Sequence, residues 1–202
     1  LLKEHFEVDM YDGEGLIDKE TLKKGVEHAD ALISLLSTSV DKDIIDSANN
    51  LKIIANYGAG FNNIDVEYAR QQNIDVTNTP HASTNATADL TIGLILSVAR
   101  RIVEGDHLSR TTGFDGWAPL FFRGREVSGK TIGIIGLGEI GGAVAKRARA
   151  FDMDVLYTGP HRKEEKERDI GAKYVDLDTL LKNADFITIN AARSEERRVG
   201  KE

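Results

Sequence analysis

Cysteine is absent from the 202-residue chain. This excludes a disulfide framework, a thiol nucleophile and a thiolate metal site. It also agrees with a reducing, cytoplasmic setting. Long apolar runs are missing too. The longest, Leu90 to Ala99, is interrupted by Thr91, Gly93 and Ser97. It reaches about half of the ~20 residues a bilayer span requires, so it reads as a buried helix, and no membrane partner is expected. The opening LLKEHFEVDM lacks a basic stretch leading into an apolar core, so a secretory signal is not expected there. Positive charge is in deficit: 26 Lys and Arg against 33 Asp and Glu give a formal net charge of −7. That balance disfavours broad nucleic-acid binding, although a local basic patch can still hold a phosphate. No metal site is assigned.

What is present alternates. EVDMY (Glu7 to Tyr11), ALISLL (Ala31 to Leu36), LKIIANY (Leu51 to Tyr57) and IDVTN (Ile74 to Asn78) read as strands. Lys19 to Ala29, Asp41 to Ala48 and Asp65 to Gln72 read as the helices between them. From Ser83 or Thr84 to Arg110 the pattern predicts one long helix, followed by an irregular connector holding Trp117, Pro119, Phe121 and Phe122. A second alternating set opens at TIGIIG (Thr131 to Gly136). It continues through helix Glu139 to Ala150, strand Asp154 to Thr158, helix Lys163 to Asp169, strand KYV, helix Asp176 to Ala184 and strand DFITIN. Strand–helix alternation at this spacing implies crossover connections and parallel sheets. The expected fold class is therefore α/β, with two doubly wound units.

TIGIIGLGEIGGAV carries G-x-G-x-x-G at Gly136, Gly138 and Gly141. The pattern is weak alone and strong here, because it sits where a strand turns into a helix. Gly136 permits the tight turn, Gly138 leaves room for a pyrophosphate, and Gly141 lets helix and strand come close. Glu139 and Ile140 would offer backbone amides at the helix N-terminus, where an anion is favoured. The bland alternative is that the glycines only punctuate a turn.

About 20 residues after such a loop, an NAD site usually places Asp or Glu on the ribose 2′-hydroxyl. This chain has Thr158-Gly159-Pro160-His161-Arg162-Lys163 there, without a carboxylate. Arg162, Lys163 and His161 would attract a 2′-phosphate that a carboxylate would repel. The expected cofactor is NADP in preference to NAD. The alternative is that Arg162 and Lys163 merely open the solvated helix KEEKERD.

NYGAGFNNID (Asn56 to Asp65), NTPHASTNATADLTIGLIL (Asn78 to Leu96) and GKTIGIIGLGEIGGAVAKRARAFDMDVLY (Gly129 to Tyr157) together resemble the D-isomer-specific 2-hydroxyacid dehydrogenases, in particular the glyoxylate/hydroxypyruvate reductase branch. The resemblance runs from Leu1 to about Ala192. It implies a flavodoxin-like substrate domain over residues 1–98 and a Rossmann dinucleotide-binding domain over 99–192, with catalysis between them. It implies reduction of a small 2-oxo acid to the D-2-hydroxy acid, and a homodimer in which Trp117, Phe121 and Phe122 pack between subunits; an ordinary core cluster is the alternative reading of these aromatics. By position, Tyr57, Gly58, Ala59 and Gly60 match the loop that holds the substrate carboxylate through its amides. Thr87, Ala191 and Ala192 match backbone or side chains beside the cofactor.

The resemblance also implies what this sequence does not contain. The family's first strand would precede Leu1. Its carbonyl-polarising Arg and its Glu–His pair would lie beyond Ala192, so no catalytic residue is assigned. His5, His28, His81, His107 and His161 all fall outside the position of the catalytic histidine. Arg193, Arg197 and Arg198 lie in RSEERRVGKE, residues 193–202, which resembles nothing in the family and reads as a scar of an incomplete reading frame; a basic arm is the alternative. The chain is thus expected to be a fragment without activity of its own. A dinucleotide-sensing regulator of the corepressor type shares the fold and is the other functional class considered, by analogy alone. Formate or phosphoglycerate dehydrogenase is a further option within the family. The missing acidic residue at Thr158 weakens the phosphoglycerate case.

Overall fold

A computed structural model describes residues 1–191. Among them are eight α-helices and seven strands, arranged in two compact units. The first spans Leu1–Ser83 and the second begins at Thr84.

The first unit is a three-stranded parallel sheet in the order β1-β2-β3, with β1 Ala31–Leu35, β2 Ile53–Tyr57 and β3 Asp75–Thr77. Its helices are α1 Lys19–Val26, α2 Lys42–Asp46 and α3 Val66–Gln71. An aspartate starts each one. Asp18 accepts from the Thr21 amide at 2.9 Å, Asp41 from Ile44 at 3.2 Å and Asp65 from Tyr68 at 3.0 Å, satisfying donors that a helix cannot pair internally. Val26, Val40, Ile44, Ile54 and Ala69 make up the fully enclosed part of the core; burying a Val or Ile side chain contributes about 1.5–3 kcal/mol. Lys19 bridges Asp41 and Asp43 at 2.7 Å each, an exposed link between α1 and α2 worth little.

The second unit has a four-stranded parallel sheet in the order β6-β5-β4-β7, built from β4 Thr131–Ile135, β5 Asp154–Thr158, β6 Ala172–Tyr174 and β7 Phe186–Ile189. Its helices are α4 Thr84–Ala99, α5 Ile102–Arg110, α6 Glu139–Ala150, α7 Glu164–Ile170 and α8 Leu177–Asn183. Gly133 lies in mid-strand β4 because α8 needs the space: a Cβ there would stand 2.5 Å from Leu180 and 2.9 Å from Ala184. Ile132, Ile134, Val144, Ala145 and Tyr157 are enclosed beneath the helices.

Three sequence expectations differ from what the chain does. Glu7 to Tyr11 forms no strand. Its alternation is strand-like, but extended backbone needs a neighbour for its hydrogen bonds, and the edge of β1 that could supply one is unpaired among the described residues. The long helix of 83–110 is two helices, broken at Arg100 and Arg101. Arg101 adopts φ 55°, and the Ala99 carbonyl accepts from the Arg125 amide at 2.6 Å in place of a helical donor. Gly124 permits this approach, since a Cβ there would stand 2.6 Å from Ala99 O. Finally, the units divide at Ser83/Thr84 instead of after residue 98. The reason is that α4 buries Ala88, Ile92 and Ala99 in the core of the second unit.

Candidate functional site

The glycine loop follows β4, at the end of the strand, and α6 begins at Glu139 with Gly138 as its N-cap. The order β6-β5-β4-β7 makes the boundary between β4 and β7 the place where chain connections reverse direction, and ligands of open α/β sheets bind outside the strand ends at such points. Gly136 has φ +98°, and a Cβ on it would lie 2.8 Å from the Ala191 backbone. The turn after β4 and the chain leaving β7 therefore meet backbone to backbone. Gly141 stands so close to the strand that a Cβ would collide with the Gly136 carbonyl oxygen. Gly138 is the opposite case. Nothing lies within 4 Å of where its Cβ would be, so this residue faces open space at the start of a helix, where the dipole is positive.

Lys166 of α7 donates to the Gly138 carbonyl at 3.1 Å and to the Glu139 carboxylate at 2.8 Å. Sequence reasoning missed this ammonium, because it sits among the charges of a surface helix and reaches its partners only through the fold. Thr158 closes β5, and its carbonyl accepts from the Gly136 amide at 2.8 Å. The end of β5 is thereby locked to the glycine loop.

Beyond Thr158 the turn is built on two tyrosines. Tyr174 donates to the Gly159 carbonyl at 3.2 Å and packs edge-on against Tyr157 at 5.3 Å between ring centres. Tyr157 is fully buried. Its hydroxyl accepts from the Lys163 amide at 2.7 Å and donates to Glu167 Oε1 at 2.6 Å. Glu167 also receives the Arg162 guanidinium as a fork, from Nε at 2.8 Å and Nη2 at 2.9 Å. Arg162 is thus held in place instead of hanging free. The fork uses two of the five guanidinium N–H donors; no acceptor for Nη1 exists among the described residues, and the side chain is 58% exposed. Lys163 and His161 lie exposed on the same turn.

Bonding to Arg162, reinforced by the Tyr157 hydroxyl, holds the Glu167 carboxyl at about 2 against an ordinary value of 4.5. Because the folded value is depressed, this stabilisation is complete above pH 4.5 and is lost as the pH falls toward 2. Thermal unfolding should therefore show a steeper acid decline for the wild-type chain than for Glu167→Gln across that interval. Parallel declines would contradict the assignment.

The first unit carries its own loop. Tyr57 closes β2 and Gly58, Ala59 and Gly60 follow it, and Gly58 lies against Leu36, whose Cδ2 would stand 2.5 Å from a Cβ. The Gly58 amide donates to Asn56 O at 2.9 Å. Tyr57 is exposed.

Thr87 is half-buried on α4, where its carbonyl accepts from Thr91 Oγ1 at 2.8 Å. Arg147 of α6 reaches Asp89 of α4 at 2.6 Å, tying those two helices together. Ala192 and the tail arginines lie outside the described residues. Among the described residues no group of three or more His, Asp or Glu side chains could hold a metal ion, and no helix is long and apolar enough to cross a membrane.

Residues 92–199 match the family model described as "D-isomer specific 2-hydroxyacid dehydrogenase, NAD binding domain". A protein of Staphylococcus aureus (strain USA300), named provisionally as a 2-hydroxyacid dehydrogenase, is 85% identical over 192 residues, 95% of this chain and 61% of that protein. The chain thus spans about three-fifths of the length of that relative. A crystal structure of a Thermus thermophilus protein superposes with a TM-score of 0.89 at 39% identity, over 96% of this chain and 61% of that one. A glyoxylate reductase from Paecilomyes thermophila superposes at 0.73 with 34% identity, over 89% and 56%.

Proposed function

Since the chain belongs to the D-isomer-specific 2-hydroxyacid dehydrogenases, we propose that the whole protein reduces a small 2-oxo acid, glyoxylate or hydroxypyruvate, to the D-2-hydroxy acid with NADPH as reductant. The observation that carries this reading is the glycine loop at the switch point of the second sheet, with Ala191 packed on Gly136 and open space at Gly138. These residues fit a dinucleotide. Amides of the loop and of the first turn of α6, around Glu139, Ile140 and Gly141, would bind the diphosphate. Gly138 supplies the clearance, and the backbone at Ala191 would lie alongside. When bound, the coenzyme supplies the hydride.

NADPH in preference to NADH follows from charge. The turn after Thr158 presents Arg162, Lys163 and His161, and the donors Arg162 keeps outside its fork with Glu167 suit a phosphoryl group. Glu167 partly offsets that charge but also fixes its direction. In the first unit, backbone amides of the loop after β2 would bind the substrate carboxylate, as glycine-rich turns do for anions. Trp117 and Leu120, exposed at 86% and 76%, and Phe121 beside them support a homodimer joined through the connector. The chain's composition supports a cytoplasmic setting.

Carbonyl polarisation and proton donation are assigned by resemblance to an Arg and a Glu–His pair downstream of Ala192. For the whole protein the test is coenzyme oxidation with glyoxylate and with hydroxypyruvate. Turnover of either supports the proposal; turnover of neither with NADPH or NADH overturns it.

A further inference from the structure

In the loop after β2, three successive carbonyls are each occupied by a donor from within the first unit. Gly58 O accepts from the Thr79 amide at 2.9 Å, Ala59 O from Asn78 Nδ2 at 2.8 Å and Gly60 O from Asn56 Nδ2 at 2.7 Å. Every peptide bond in the described chain is trans, and in a planar trans peptide the carbonyl of one residue points opposite to the amide of the next. Fixing those carbonyls therefore turns the amides of Ala59, Gly60 and Phe61 away from their donors. None of the three amides has an acceptor among the described residues. The Gly58 amide, by contrast, is already spent on Asn56 O.

The Asn56 donor is itself held. Asn56 is buried, at 2% exposure, and its Oδ1 accepts from Ser34 Oγ at 2.9 Å and from Asn63 Nδ2 at 3.2 Å. Asn63 Nδ2 in turn reaches the carbonyls of Leu35 and Thr38 at 3.1 and 2.9 Å. The carboxamide is the side chain this arrangement requires, because it donates and accepts at once. Aspartate could not donate to a carbonyl, and its charge would oppose an anion beside it.

We infer that Asn56 and Asn78 are positioning residues that turn the amides of Ala59, Gly60 and Phe61 outward as a nest for the substrate carboxylate. This rests on the reading of the loop under Proposed function and narrows the binding groups from four residues to three: Phe61 enters, and Tyr57 and Gly58 leave. The substrate class is accordingly a small monocarboxylate, gripped by backbone alone at this loop.

The test uses the whole protein with Asn78→Ala and the isosteric Asn78→Asp. Asn78 is half-buried at the loop, so thermal melts should stay close to wild type. Loss of one of three oriented donors should raise KM for the 2-oxo acid by about 10-fold, with kcat and KM for the coenzyme held within about 2-fold. Asn78→Asp should raise it further, since it adds a negative charge. A purely structural role would instead lower stability and move both substrates' constants together. KM for the 2-oxo acid unmoved in both variants overturns the inference alone. A wild-type protein that reduces no 2-oxo acid overturns the functional reading and the inference with it.

Discussion

Replacing Gly138 by valine is expected to leave the protein folded and to weaken coenzyme binding by about 100-fold or more, equivalent to about 2.7 kcal/mol. The two halves of that expectation have separate causes. Gly138 has φ −78° and ψ −150°, extended backbone open to any residue, and its Cβ would meet nothing within 4 Å. A side chain there costs the fold no more than the ~1 kcal/mol typical of a poor N-cap. On the proposed reading the same empty space is where a diphosphate would approach the amides, so the valine methyls would block it. Gly141→Ala is the necessary contrast. Its Cβ would collide with the Gly136 carbonyl oxygen, so α6 must move off the strand at a cost of about 1–3 kcal/mol. Thermal melts paired with coenzyme titration separate the outcomes: Gly138→Val should lose binding and keep stability, and Gly141→Ala should lose both. A Gly138→Val protein that binds coenzyme like wild type would show that the loop does not hold the diphosphate.

Arg162→Ala should weaken NADPH by about 10- to 100-fold, as expected for a lost charge-assisted hydrogen bond of about 1.5–3 kcal/mol, and leave NADH within about 3-fold. The guanidinium has to be aimed as well as present. Glu167 and Tyr157 aim it through bonds of 2.6–2.9 Å. Glu167→Gln should accordingly shift NADPH affinity less than Arg162→Ala does, because it frees charge on Arg162 while loosening its direction. Equal losses for NADPH and NADH in Arg162→Ala would mean that the residue stabilises the turn and does not read the 2′-phosphate.

How far the sequence revealed these features depended on how local each cause is. The glycine loop was legible because strand, turn and helix are contiguous and each glycine answers to a neighbour in the same few residues, apart from the contact of Gly136 with Ala191. The strands β1 to β7 and, apart from the divided helix after β3, the intervening helices were legible from apolar periodicity, with edges moving by one to three residues as helix ends commonly do. Arg162 stood out as a cation, but Glu167 did not stand out as its partner: five residues apart, with Arg162 ahead of the start of α7, they do not form a recognisable helical pair. The asparagine network was equally hidden, since Asn78 and Ala59 meet only when β2 and β3 pair. The break at Arg101 goes with the bond from the Arg125 amide to Ala99 O, a contact no local pattern announces. Glu7 to Tyr11 failed for the converse reason: it has strand periodicity but pairs with no strand among the described residues.

The central proposal is that the turn after β4 cradles a dinucleotide diphosphate. Calorimetric titration of the whole protein with NADPH and, separately, with NADH tests it directly. Saturable one-site binding of NADPH, tighter than that of NADH and abolished by Gly138→Val, is the predicted result. Binding of neither coenzyme by a protein shown to be folded would contradict the claim.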